Sequence, residues 1–179
     1  MNRIILVVLI MVASLFLVMP QTAISAEDVV PRKGCVYCGM DLEKYDFSRM
    51  LIEYEDGTST GVCSLHCAAL ELAVALDKTP ASIKAADLNT KQMIDAEKAF
   101  WVLGGTRPAV MSKRGKWAFA KKEDAEAFLK QNNGSLVSFE AAIKAAYEDI
   151  YDDTKMIRER RKEKKMKMKM NMPGPAQEY

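Results

Sequence analysis

Apolar and polar residues alternate over residues 49–55 (RMLIEYE) and again over 58–62, with Asp56-Gly57 between them. That pattern predicts a β-hairpin. Residues 64–76 (SLHCAALELAVAL) change to helical spacing, rich in alanine and leucine. Residues 77–87 predict a looser connector running through Pro80. Residues 95–102 fit helix or strand, with the strand placed at 100–103. Gly104-Gly105 and Arg107-Pro108 predict a loop, and KWAFA at 116–120 a further strand. Residues 122–132 read as a helix closed by Asn133-Gly134. A last helix begins at Phe139 and continues through Arg161, fraying beyond because consecutive cations repel, and Pro173-Gly174-Pro175 stops any helix. The order strand, turn, strand, helix thus occurs twice, over 49–76 and 100–131, as a structural duplication would produce. The expected class is α+β, two such units with small antiparallel sheets covered by helices.

The two ends differ in kind from this middle. Residues 4–19 are apolar apart from Ser14, follow Arg3, and are broken by Pro20. With Ala23-Ile24-Ser25-Ala26 behind them, residues 1–26 read as a secretory signal cleaved near Ala26, with an uncleaved N-terminal membrane anchor as the alternative. Either arrangement places the domain in the periplasm or otherwise outside the cytoplasm. Residues 155–179 carry nine Lys/Arg against three Glu, a net of +6 in a chain of net charge +2. The body is therefore net negative, and residues 162–179 predict a solvated, flexible appendage. That basic tail can attract an anionic membrane surface or an acidic partner. Nucleic acid is not an expected partner for an exported chain. The division is signal peptide 1–26, central domain 27–139, C-terminal helix 140–161 and tail 162–179.

Composition narrows the chemistry. At 179 residues, 49% apolar and 28% charged, the chain is neither disordered, collagenous nor a multi-pass membrane protein. A single histidine, His66, excludes a multi-histidine metal site within one chain and argues against a Ser-His-Asp hydrolase. No acid–base pair or phosphate loop supports hydrolysis or phosphoryl transfer. The distinctive feature is sulfur: four cysteines and twelve methionines.

Cys35-Val-Tyr-Cys38-Gly-Met40 is a C-x2-C knuckle, a tight turn that aims two sulfurs at one point. Cys63-Ser-Leu-His66-Cys67 follows the hairpin at the head of a predicted helix, where positions i and i+4 share a face. Amides at a helix N-terminus favour thiolate, the metal-binding form. Knuckle, hairpin and helix start together resemble a treble-clef-like metal site with Cys35, Cys38, Cys63 and Cys67 as ligands and His66 as a further candidate. Two disulfides, or a redox pair of Cys35 and Cys38 serving a thiol-disulfide oxidoreductase, remain open from the residues alone. The alternating Met166, Met168, Met170 and Met172 suit weak capture of Cu(I), a soft ion that prefers thioether and thiolate.

These residues resemble the NosL family, copper accessory proteins of nitrous oxide reductase maturation. The resemblance rests on the C-V-Y-C-G-M knuckle and the hairpin over 49–61. It rests equally on the cysteine that follows (Cys63 or Cys67), Ile94-Asp95-Ala96 with 100–102, Pro108-Ala-Val-Met111, and Trp117-Ala-Phe119-Ala with Glu123-Asp-Ala125 and Phe128. It covers about residues 34–139. It implies a non-enzymatic Cu(I) carrier, with the ion held by Cys38, Met111 and Met40 and passed to a client cuproenzyme or a membrane assembly partner. The chain departs from the usual pattern in lacking a lipid-acceptor cysteine and in carrying the extra C-S-L-H-C thiols. That surplus fits Zn(II) held by four thiolates in a structural or sensing site.

Overall fold

The computed structural model describes residues 33–170. The expected signal segment and residues 171–179, with Met172 and the Pro-Gly-Pro stop, lie outside the described residues. The elements run β1 (Met50–Tyr54), β2 (Ser59–Val62), α1 (Leu65–Val74), β3 (Pro80–Ala86), β4 (Met93–Asp95), β5 (Phe100–Leu103), β6 (Lys116–Phe119), α2 (Lys122–Asn132), β7 (Ser135–Val137) and α3 (Phe139–Met170).

The hairpin forms as its sequence predicts. Asp56 Oδ1 accepts the Thr58 amide at 2.8 Å, Gly57 takes φ +79°, and β1 pairs β2 antiparallel from Met50↔Val62 to Glu53↔Ser59. The chain makes two antiparallel sheets, ordered β2-β1-β3-β4 and β6-β5-β7. In each, the first strand of the unit is central, flanked by its hairpin partner and by the strand that follows the helix. The duplicated unit is therefore strand, strand, helix, strand, one element longer in each copy than the sequence reading.

The two closing strands are what that reading lacks. The connector expected at residues 77–87 is largely β3, hydrogen-bonded to both β1 and β4. Its sequence, PASIKAA, has weak strand propensity, and tertiary pairing overrides it. Pro80 stands at the strand's first position, where its missing amide costs nothing. Residues 95–102 resolve into the end of β4, a turn and β5. Helix α3 is the other correction: it continues through Met170 instead of fraying after Arg161.

The larger core gathers β1, α1 and the knuckle, with Ile52, Val62, Cys63, Cys67, Ala68 and Ala69 all fully buried. Small residues on both helices (Ala68 and Ala69 on α1, Ala142 and Ala146 on α3) allow the helix backbones to approach closely. A second core, Val102, Trp117, Phe119, Ala125 and Phe128, lies under α2. Gly105 marks a tight crossing: at φ +92°, a Cβ there would sit 2.8 Å from the Asn132 carbonyl oxygen and 2.9 Å from that of Asn133. Gly105→Ala is expected to cost about 2 kcal/mol through strain and clash, read as a lower urea midpoint with an unchanged slope.

Candidate metal centre

The knuckle is built by its own backbone. Cys35 N–H donates to the Met40 carbonyl at 2.8 Å, Gly39 N–H returns to the Cys35 carbonyl at 2.8 Å, and Gly39 takes φ +74°. The loop is pinned from inside the motif, because Tyr37 Oη donates to Glu71 Oε2 at 2.6 Å while Tyr54 Oη donates to Glu71 Oε1 at 2.7 Å. Glu71 belongs to α1 and is buried, so one carboxylate ties the knuckle and β1 to the helix that carries Cys67. Burial, and then the hydrogen bond to Glu71, push both phenols well above the usual tyrosine range.

Against this frame the four sulfurs of Cys35, Cys38, Cys63 and Cys67 lie within 4.8 Å of one another. Cys38 Sγ is 3.4 Å from Cys63 Sγ, and Cys63 Sγ is 3.7 Å from Cys67 Sγ. A disulfide needs about 2.05 Å, so the four thiols are unbridged. The convergence also speaks against an isolated Cys35–Cys38 redox pair. A tetrahedral ion with metal–sulfur bonds of about 2.3 Å separates its sulfurs by about 3.8 Å, so the pocket fits a four-thiolate ion with small adjustments.

Cys35, Cys63 and Cys67 are buried; Cys38 alone is partly exposed. The thiols titrate as a group. Contacts from Cys38, Cys63 and Cys67 hold Cys35 below the usual thiol range. Cys63 and Cys67, in contact with Cys35 and desolvated, are pushed well above it. Cys38 is opposed by its contact with Cys35, but contacts from Cys63 and Cys67 outweigh it and hold Cys38 below the usual range as well. Without a cation the two deeper thiols therefore keep their protons, and a bound cation reverses that, since a coordinating thiol loses its proton.

The other sequence candidates lie outside this group. His66 faces α3, its Nδ1 3.3 Å from Asp153 Oδ2, both side chains 2% exposed. The reason is angular: Cys63 and Cys67 are one turn apart, and the residue between them points elsewhere. Burial pulls the His66 pKa down against the pull of Asp153, which favours the neutral ring. Met40 and Met111 are half-buried and pack against the core that contains the thiols; Met111 holds φ +58°. Met166, Met168 and Met170 are exposed on α3. On a helix their alternation splits, leaving Met166 and Met170 on one face and Met168 on the other. Arg161 Nη2, from the same stretch, donates to the Cys38 carbonyl at 2.8 Å, so the basic part of α3 reaches the backbone of the one partly exposed cysteine.

Four contributors were not foreseen: Tyr37, Glu71, Arg161 and Asp153. Asp153 had a legible signal. It lies seven residues after Ala146, in the row of α3 positions that are otherwise buried alanine and methionine.

Among the described residues no helix is long and apolar enough to cross a membrane. The family model for NosL matches residues 26–147. Among solved structures, the copper chaperone NosL from Shewanella denitrificans is similar, at 21% identity and a TM-score of 0.48, over 60% of this chain and 87% of that one. No curated protein matches the chain. The family match takes in the knuckle, all four cysteines and both sheets, well over half of the sequence, and the chain belongs to the NosL family of metal-handling accessory proteins, which are not enzymes.

Proposed function

We propose that this protein is an exported carrier of Cu(I) that passes the ion to a client cuproenzyme such as nitrous oxide reductase. The observation that carries the reading is the pocket: four unbridged sulfurs within 4.8 Å, of which Cys38 alone is accessible, in a chain of this family. Cu(I) is cargo here. Soft thiolate and thioether donors select it over harder ions, and few donors leave room for a partner's ligands to replace them one at a time. Cys38 supplies the exchangeable thiolate, with Met111 and Met40 as thioether donors. The segment 1–26 directs export or anchors the chain, and the basic end of α3 meets an acidic partner or an anionic membrane surface.

A second reading has its own support. Three buried thiols and sulfur spacings near those of a tetrahedral site suit Zn(II) held by Cys35, Cys38, Cys63 and Cys67, a closed structural or sensing site. Anaerobic Cu(I) titration against a competing chelator, with elemental analysis of the purified protein, separates the two. Cu(I) carriage predicts that Cys38→Ser and Met111→Ala each lower copper affinity tenfold or more, on the order seen when metal-site groups are removed. Affinity unchanged in both variants overturns it. Stoichiometric zinc with a neutral Met111→Ala favours the second reading.

A further inference from the structure

Met111 lies in the loop between β5 and β6, and its backbone occupies the left-handed region, φ +58°. A left-handed backbone of this kind is uncommon outside glycine, asparagine and aspartate, and persists only where the surroundings impose it. The surroundings here are two carboxylates one turn apart on α3. Asp149 holds the side chains beyond Met111: Arg114 Nε and Nη2 each donate to it at 2.9 Å, and Lys116 Nζ at 2.8 Å. Asp153 holds the backbone itself, its Oδ1 accepting the Lys113 N–H at 2.9 Å, two residues past Met111.

The other oxygen of Asp153 faces the opposite way. Oδ2 lies 3.3 Å from His66 Nδ1 on α1, next to Cys67, and neither atom has an aligned hydrogen bond. Asp153 is 1% exposed. This buried carboxylate has one oxygen on the methionine loop and one facing the thiol helix. Among the hydrogen bonds and ion pairs of the described residues, it is the one side chain that joins the loop carrying Met111 to the helix carrying Cys67. Surface ion pairing does not explain it, since an aspartate at this depth is costly unless its partners compensate it.

We infer that Asp153 is a positioning residue for Met111: it fixes the left-handed loop relative to α1 and so sets where the thioether stands with respect to the thiols. This rests on the reading of Met111 as a copper donor. The role needs an acceptor at Oδ1 and not a negative charge, so asparagine preserves it and alanine removes it. Removal frees the Lys113 N–H and lets the Met111 backbone relax to negative φ, which turns its side chain away.

The test is a double-mutant cycle in Cu(I) affinity, measured anaerobically by chelator competition on the full chain. Asp153→Ala is expected to weaken binding about tenfold, the scale at which supporting groups act on metal sites. Asp153→Asn should restore it to within about threefold, and Asp153→Ala combined with Met111→Ala should bind no more weakly than Met111→Ala alone. A second readout needs no copper: the Met111 methyl carbon signal of the metal-free protein, labelled at methionine, should move in Asp153→Ala and stay in Asp153→Asn. Should Asp153→Ala not fold, Asp153→Ser, too short to reach the Lys113 amide, takes its place. Additive losses in the cycle, or an unmoved methyl signal, overturn the inference while leaving the donor role of Met111 intact. A Met111→Ala protein with wild-type copper affinity overturns the donor role, and this proposal with it.

Discussion

Adding one equivalent of Zn(II) or Cu(I) to the reduced protein without air will raise its melting temperature by about 10 °C, and Cys63→Ser will abolish the rise given by Zn(II). The magnitude follows from linkage. An ion that binds the folded state at a free concentration 1,000 times its dissociation constant adds about 4.1 kcal/mol. A domain of this size gains roughly 2–4 °C per kcal/mol. Cys63 is the informative position because it is fully buried and touches both Cys38 and Cys67. Serine there is nearly isosteric, so the apo protein should lose little while a four-thiolate Zn(II) site loses a central ligand. The rise should shrink on acidification, because the ion must displace thiol protons, and those of Cys63 and Cys67 are held above the usual range. A melting temperature indifferent to both ions would mean that the four sulfurs converge for packing alone, as buried cysteines do when they act as small apolar groups. Scanning calorimetry under nitrogen with each ion decides it.

Much of the site was legible because its spacing is local. C-x2-C and C-x3-C each bring two sulfurs together within a turn, and the Asp56-Gly57 hairpin between them is short enough to bring the pairs face to face. Elements with strong local signals, β1, β2, α1, β5, β6 and α2, stand within a few residues of their expected positions. What the sequence did not disclose is what long-range pairing decides. β3 and β7 are strands because β1 and β5 offer free edges, not because PASIKAA or SLV demand it. The reach of α3 past Arg161 was hidden because like-charge repulsion along the lysines argued for fraying, while the anchoring contact, Arg161 on the Cys38 carbonyl, joins residues 123 apart. His66 shows the same limit inside the site. Proximity in sequence to two ligand candidates suggested a third, yet its ring is turned toward an aspartate 87 positions away.

The two units are joined at Asp87, and Asp87→Ala is expected to cost about 4 kcal/mol. The residue follows β3 and is fully buried. Its Oδ1 accepts the amides of Asn89 at 3.0 Å and Thr90 at 2.6 Å and the Thr90 hydroxyl at 2.9 Å. Its Oδ2 accepts the amide of Ala120 at 2.7 Å, from the end of β6 in the other sheet. The backbone repeats the link, with Leu88 N–H on the Ala118 carbonyl at 2.9 Å. Alanine would leave three amides and a hydroxyl without their acceptor, and an orphaned buried donor costs more than a hydrogen bond contributes. Burial pushes the Asp87 pKa up, but the donors from Thr90, Ala120 and Asn89 outweigh it, so the folded value lies below the ordinary carboxylate range. The sign follows: the unfolded chain binds this proton more readily, so the contribution is complete above about pH 4 and drains away as the pH falls below it. Asp87→Asn keeps one acceptor oxygen and presents an NH2 to a donor, so its loss should be intermediate at neutral pH, and its stability gap to the wild type should narrow in acid. Urea unfolding of the three proteins at neutral pH and in acid measures both effects. A loss under about 1 kcal/mol in Asp87→Ala would show that the two sheets hold their relation without this carboxylate.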